Sequence, residues 1–147
     1  IADDGQTVSG FTQYIPLEAG HTTLDGNVCP TWVVDADLTQ GSRITVKNSV
    51  TLILIDGKTL TARKGISVTA HDNAVLTILA QSGGTGALSV TGVNDQNDAS
   101  IGGDGGVSGR AACGTVSIYG GCITTSGNYM GAGIGGAGTG GTINIHV

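Results

Sequence analysis

Charge, aromatic rings and proline are all scarce in this 147-residue chain. Charged residues make up 12% of it and aromatic residues 3%, and there are only two prolines. A single Glu joins ten Asp against six Lys plus Arg, for a formal net charge of −5. No basic stripe exists, which argues against a nucleic-acid ligand. The longest apolar runs, such as "VTLILI" at 50–55, are too short to span a membrane. Runs rich in Ala, Leu, Glu and Lys, which would favour helices, are missing. Apolar residues nevertheless reach 39%, too many for a disordered chain of this charge. The chain starts at Ile1 rather than Met, with no signal-peptide pattern, and reads as a processed or excised segment. The three cysteines, Cys29, Cys113 and Cys122, form no C-x-x-C and no zinc spacing. Their odd number leaves at least one unpaired within the chain. Small buried fillers are the favoured reading, and one disulfide, within or between chains, the alternative.

Glycine is what the chain has in excess. Of 27 glycines, 20 lie between Gly83 and Gly141. They follow no Gly-X-Y period, which excludes collagen. Between them lie short segments that alternate large apolar with small polar residues, a strand pattern. These segments recur. "GTVSI" at 114–118 returns as "GTINI" at 141–145, and "ASIGG" at 99–103 as "AGIGG" at 132–136. The apolar positions sort into three columns: Ile44, Ile66, Ile101 and Ile134; Leu52, Leu76, Val116 and Ile143; Leu60, Leu88 and Ile123. The chain visits them in rotation, as a polymer wound around a three-sided prism would. Sequence alone therefore predicts an all-β parallel β-helix of three to four circuits, right-handed by the general chirality of parallel connections. Within each strand, residues i and i+2 face inward. Val116, Ile118, Ile143 and Ile145 are expected inside, with Ser117 and Asn144 outside. Glycine at the corners supplies the backbone angles that sharp bends require. Residues 1–43 lack glycine pairs and contain Phe11, Tyr14, Trp32 and both prolines. They are expected to form an N-terminal cap and first strand, ahead of the circuits over 44–147, in one domain.

Several segments together carry a family resemblance. "ITVKNSVTLILIDGKTLTARKGISV", "LTILAQSGGTGALSV" and the "GIGG" and "GTVSIYGG" units resemble the glycine-rich repeat regions of large secreted or wall-anchored proteins of gut Firmicutes and their relatives. The resemblance covers roughly Trp32 to Val147. It implies an extracellular, cell-surface β-helical repeat region and brings no catalytic motif with it. The stretch "ASIGGDGGVSGRAACG" departs from the compact unit by an insertion.

Candidate chemistry is thin. "GAGIGG" and "IGGDGG" lack the following helix and the G-K-[ST] of a phosphate loop. Asp95, Asp98 and Asp104 sit among Asn and Gln in an oxygen-rich loop, a weak calcium candidate without EF-hand spacing. No other cofactor is expected. Asp56, Asp72, Asp104, Lys58, Lys64 and Arg110 are scattered over different circuits. The histidines His21, His71 and His146 lack a Ser or Asp partner at a recognisable spacing, so no enzyme is expected. Tyr119 and Tyr129 lie in the glycine-rich circuits and are the candidates for stacking on a glycan. Thr45 with Ser67, and Thr77 with Ser117, are candidate hydroxyl columns of the ice-binding kind, although no repeated T-x-T pattern supports them. Ile143, Ile145 and His146 are expected at an open end that contacts another copy or continuing repeats. The expected function is a non-catalytic structural or adhesive domain that contacts glycan. A subunit stacking end to end into a fibre is the alternative, and a polysaccharide-active enzyme the third reading.

Overall fold

In the computed structural model of the protein, residues 13–92, 97–106, 108–127, 131–138 and 140–146 are described. In chain order the strands are β1 (Ile15–Pro16), β2 (Thr23–Asp25), β3 (Thr31–Val34), β4 (Leu38–Gln40), β5 (Ile44–Lys47), β6 (Ser49–Leu54), β7 (Thr59–Ala62), β8 (Ile66–Val68), β9 (Val75–Ala80), β10 (Ala87–Thr91), β11 (Ile101–Gly102), β12 (Thr115–Ile118), β13 (Cys122–Ser126), β14 (Ile134–Gly135) and β15 (Thr142–Ile145). Each is too short to bury a face alone, and each pairs in parallel with its equivalent one coil later. Three sheets result: A (β1-β3-β6-β9-β12-β15), C (β4-β7-β10-β13) and B (β2-β5-β8-β11-β14). From β3 onward the chain visits A, C and B in turn. This is a parallel β-helix.

Two of the three apolar columns pair as the sequence predicts. Ile44 faces Ile66, Ile66 faces Ile101, and Ile101 faces Ile134. Leu60 faces Leu88 and Leu88 faces Ile123, with Leu38 added at the head of the column. The remaining column needs a correction. Leu52 pairs with Ile78 and Val50 with Leu76, two residues from the expected register. A slip of two keeps every side chain on its own face, so alternation alone cannot detect it. The corner fixes it instead. Asn48 and Asn73 both adopt left-handed backbone, with φ 57° and 51°, just ahead of β6 and β9. They stack through Val75 N–H donating to the Asn48 carbonyl at 2.9 Å.

The ladders also run across residue 43. Strands β1 to β4 precede that position and pair with β3, β5, β6 and β7, so coil geometry begins by Ile15. Five coils precede β15, more than the three to four expected. The early strands have only two to four residues each and lack the paired glycines that mark many of the later corners. Between β1 and β2 a turn over 18–21 takes the place of a sheet C strand. The buried amide of Gln40 holds it. Its Nε2 donates to the Glu18 carbonyl at 2.7 Å and to the His21 carbonyl at 3.3 Å, and its Oε1 accepts from Gly20 N–H at 3.2 Å.

Inside the prism, Leu52, Leu60, Leu76, Ile78, Leu88 and Ile101 are almost wholly excluded from solvent. A second, small apolar cluster lies on the outer side of sheet A, where Val33 and Ile53 pack with Ile55 and Leu79. Side chains tie successive corners together. The Asp56 carboxylate accepts from Gly83 N–H and Thr85 N–H of the next coil, both at 2.9 Å, and Asp37 accepts from Thr59 N–H at 2.9 Å. These acceptors satisfy corner N–H groups that no strand reaches.

The recurring "IGG" has a specific cause. Gly102 and Gly135 occupy equivalent positions with φ 138° and 141°, which side chains rarely adopt. A Cβ on Gly102 would strike the Gly135 carbonyl of the next coil, whereas one on Gly135 meets only Ala132 Cβ at 3.4 Å. Gly135→Ala is therefore expected to cost about 1–3 kcal/mol from backbone strain. Gly102→Ala should cost clearly more, because coil stacking adds a clash to the same strain. Urea denaturation of the two variants checks this, and equal losses would mean that the coils are not stacked as described.

Candidate functional site

Every sheet ends on a strand of the last coils: A on β15, B on β14 and C on β13. The inward columns arrive there incompletely covered. Ile123, Ile134 and Ile143 are only partly buried against the core, and Ile145 is 65% exposed. Ile145 continues the column of Ile78 and Ile118, so its exposure reflects position in the last layer rather than an outward direction. The outer backbone edges of β13, β14 and β15 pair with no strand among the described residues.

Tyr119 and His146 meet at this same end. Their rings stack at 4.1 Å with an interplanar angle of 4°. His146 N–H donates to the Ile118 carbonyl at 2.9 Å, so His146 continues the register that places Ile145 opposite Ile118. Beside them the Asn144 side-chain amide donates to Ser117 Oγ at 3.2 Å. The structure thus joins a residue expected at a glycan contact to one expected at the assembly end. Tyr129, the other glycan candidate, lies outside the described residues.

No family model, characterised protein or solved structure matches this chain. Function therefore has to be read from its own side chains.

The acidic loop is organised around an arginine that the sequence reading passed over. Arg43, at the corner between β4 and β5, reaches Asp104 through Nε at 2.9 Å and through Nη2 at 2.7 Å. Its guanidinium also donates to the carbonyls of Lys64, Ala99 and Gly103, and Asp98 Oδ2 lies 3.9 Å from Nε. Asp98 Oδ1 accepts from Gly105 N–H at 2.7 Å, and Asp104 Oδ2 accepts from Ser67 Oγ at 2.7 Å. The two described carboxylates of the calcium candidate are thus engaged by an internal cation and by donors of the protein itself. Asp95 lies outside the described residues. Among the described residues no three His, Cys, Asp or Glu side chains converge as a metal site.

Asp72, Arg110 and His21 also serve the scaffold. Asp72 pairs with Arg110 at 2.6 Å and accepts from Thr69 Oγ1 at 3.0 Å, fixing the turn ahead of β9. His21 accepts from Glu18 N–H through Nδ1 at 3.0 Å and meets Trp32 edge-on at 5.3 Å. All three cysteines are free, so the disulfide alternative does not hold within the chain. Cys29 and Cys113 are buried fillers, and burial pushes the Cys113 thiol up to about 11. Cys122 is exposed on β13. An open cleft beside β1 is lined, among the described residues, by Gln13, Tyr14, Ile15, Val28 and Cys29, none of them a carboxylate, lysine or histidine. Among the described residues no helix is long and apolar enough to cross a membrane.

Proposed function

We propose that this chain is a non-catalytic structural and adhesive β-helix segment of a secreted or surface-exposed bacterial protein, and that its C-terminal coil receives a further β layer. The partial exposure of the last core layer, Ile123, Ile134, Ile143 and Ile145, carries this reading. Apolar side chains in register, framed by open strand edges, form a template for another strand. The layer that covers them is a following coil of the same polypeptide or a second copy. The stacked Tyr119 and His146 extend the template to the outer rim. The bacterial surface setting rests on the resemblance of the repeat units, and the engagement of Arg43 with Asp98 and Asp104, and of Arg110 with Asp72, supports a scaffold role for these charges.

A heterologous contact between unlike ends propagates as a filament, whereas a contact between like ends closes as a dimer. Sedimentation velocity over a wide concentration range, followed by negative-stain electron microscopy, tests the second-copy version. The expected result is concentration-dependent association that Ile143→Lys abolishes. A strict monomer at high concentration, unchanged by Ile143→Lys, would sink it.

A further inference from the structure

The three sheets present very different outer faces. On sheet A, Thr77 pairs with Ser117 as expected, but Ser117 is bonded to Asn144, and the buried Val33–Ile53 cluster lies alongside. On sheet B, Thr45 pairs with Ser67, but Ser67 is 1% exposed and bonded to Asp104. Neither expected hydroxyl column is free. Sheet C differs. Thr39, Thr61, Ser89 and Thr124 form one outward ladder, Thr59, Ala87 and Cys122 a second, and Thr91 with Ser126 a third. The register holds across all four strands without a slip. None of these Thr and Ser hydroxyls bonds to another protein group among the described residues, whereas Ser67 and Ser117 both do. All seven are exposed or half-buried.

The ladders make a two-dimensional array. Neighbouring strands lie about 4.8 Å apart, and outward residues on one strand repeat every ~6.6 Å. Threonine is stiff at χ1, and the central strands β7 and β10 are held by a coil on either side while β4 and β13 are held on one, so the hydroxyl and methyl positions are fixed in advance, most firmly at Thr59, Thr61 and Ser89. No charged or aromatic residue lies on β4, β7, β10 or β13; Lys58 and Arg63 only flank β7.

These features select among occupants. A soluble sugar would want an aromatic platform, which this face lacks. Nucleic acid would want a row of cations. A second protein copy would want about 800 Å² per partner, whereas the nine outward positions of these ladders span roughly 300 Å². A neutral, repeating, hydroxyl-rich array fits a surface that is itself neutral, repeating and made of hydrogen-bonding groups. We propose that the outer face of sheet C binds crystalline water. Its fixed Thr and Ser hydroxyls join the ice lattice, and the Thr methyls order the water between them. This inference is independent of the C-terminal contact.

Ice itself is the probe. The full chain should facet growing ice crystals in a nanolitre osmometer and slow recrystallisation in an annealed frozen film. Thr61→Tyr places a ring in the middle of the array and should abolish both effects with the melting temperature unchanged. Ser89→Lys, by a different chemistry, should do the same and covers the case in which Thr61→Tyr fails to fold. Asp35→Tyr, at an exposed corner off the array, should retain both. Round crystals with the unmodified protein, or full activity in folded Thr61→Tyr and Ser89→Lys, would overturn the proposal. So would retention on microcrystalline cellulose or chitin without any shaping of ice.

Discussion

Leu88→Ala is expected to lower the free energy of unfolding by about 2–5 kcal/mol, whereas Ser89→Ala next to it should stay within about 0.5 kcal/mol. Leu88 is fully excluded from solvent in the centre of its column, between Leu60 of the coil before and Ile123 of the coil after. Truncation removes its transfer free energy and leaves a cavity that flanking coils, pinned by their own ladders, cannot collapse into. Ser89 faces outward, and its hydroxyl bonds to no other protein group among the described residues. Leu88→Asp is more severe, because a carboxylate there would be buried without a partner. Guanidinium denaturation followed by circular dichroism measures all three. Equal losses at positions 88 and 89 would show that the facing assignment is wrong.

Arg43→Ala should be comparably damaging, at about 3–5 kcal/mol, through a different mechanism. The Arg43, Asp98 and Asp104 side chains retain only 16%, 8% and 13% of their accessibility. Removing the guanidinium strands two carboxylates and exposes three carbonyls to the loss of their donor. Arg43→Lys should recover only part of the loss, since a single ammonium cannot span the fork that reaches Asp104, Lys64, Ala99 and Gly103 at once. Asp104→Asn combined with Arg43→Ala should cost less than the sum of the two, with a coupling of about 0.5–3 kcal/mol. Strict additivity would mean that the network seen in the structure contributes nothing to stability.

The coil step was the most informative quantity in the sequence. Ile101 and Ile134 share a column because each is the single large residue ahead of a glycine corner. β6 and β9 each carry three inward apolar residues, so more than one register satisfies burial, and the expected register was off by two. Applied to neighbours, the same step also reaches residues that composition conceals. Tyr119 and His146 are separated by the 27 residues that separate Ile118 from Ile145, and Thr61 and Ser89 by the 28 that separate Leu60 from Leu88. The stacked aromatic pair and the sheet C ladder were therefore legible in principle. Arg43 was not. It sits on a corner rather than a ladder, and its partner lies 61 residues away, across an insertion whose path no periodicity predicts. Of the early strands only one was legible, within the expected first strand; alternation over the two or three residues of β1, β2 and β4 does not rise above chance.

The stacking of coils is tested most directly by methyl nuclear Overhauser spectroscopy on protein labelled only at isoleucine δ1. The account predicts contacts between Ile44 and Ile66, between Ile66 and Ile101, and between Ile101 and Ile134, each one coil apart, and none between Ile44 and Ile134. Absence of the Ile66–Ile101 contact, or a direct contact between Ile44 and Ile134, would contradict it.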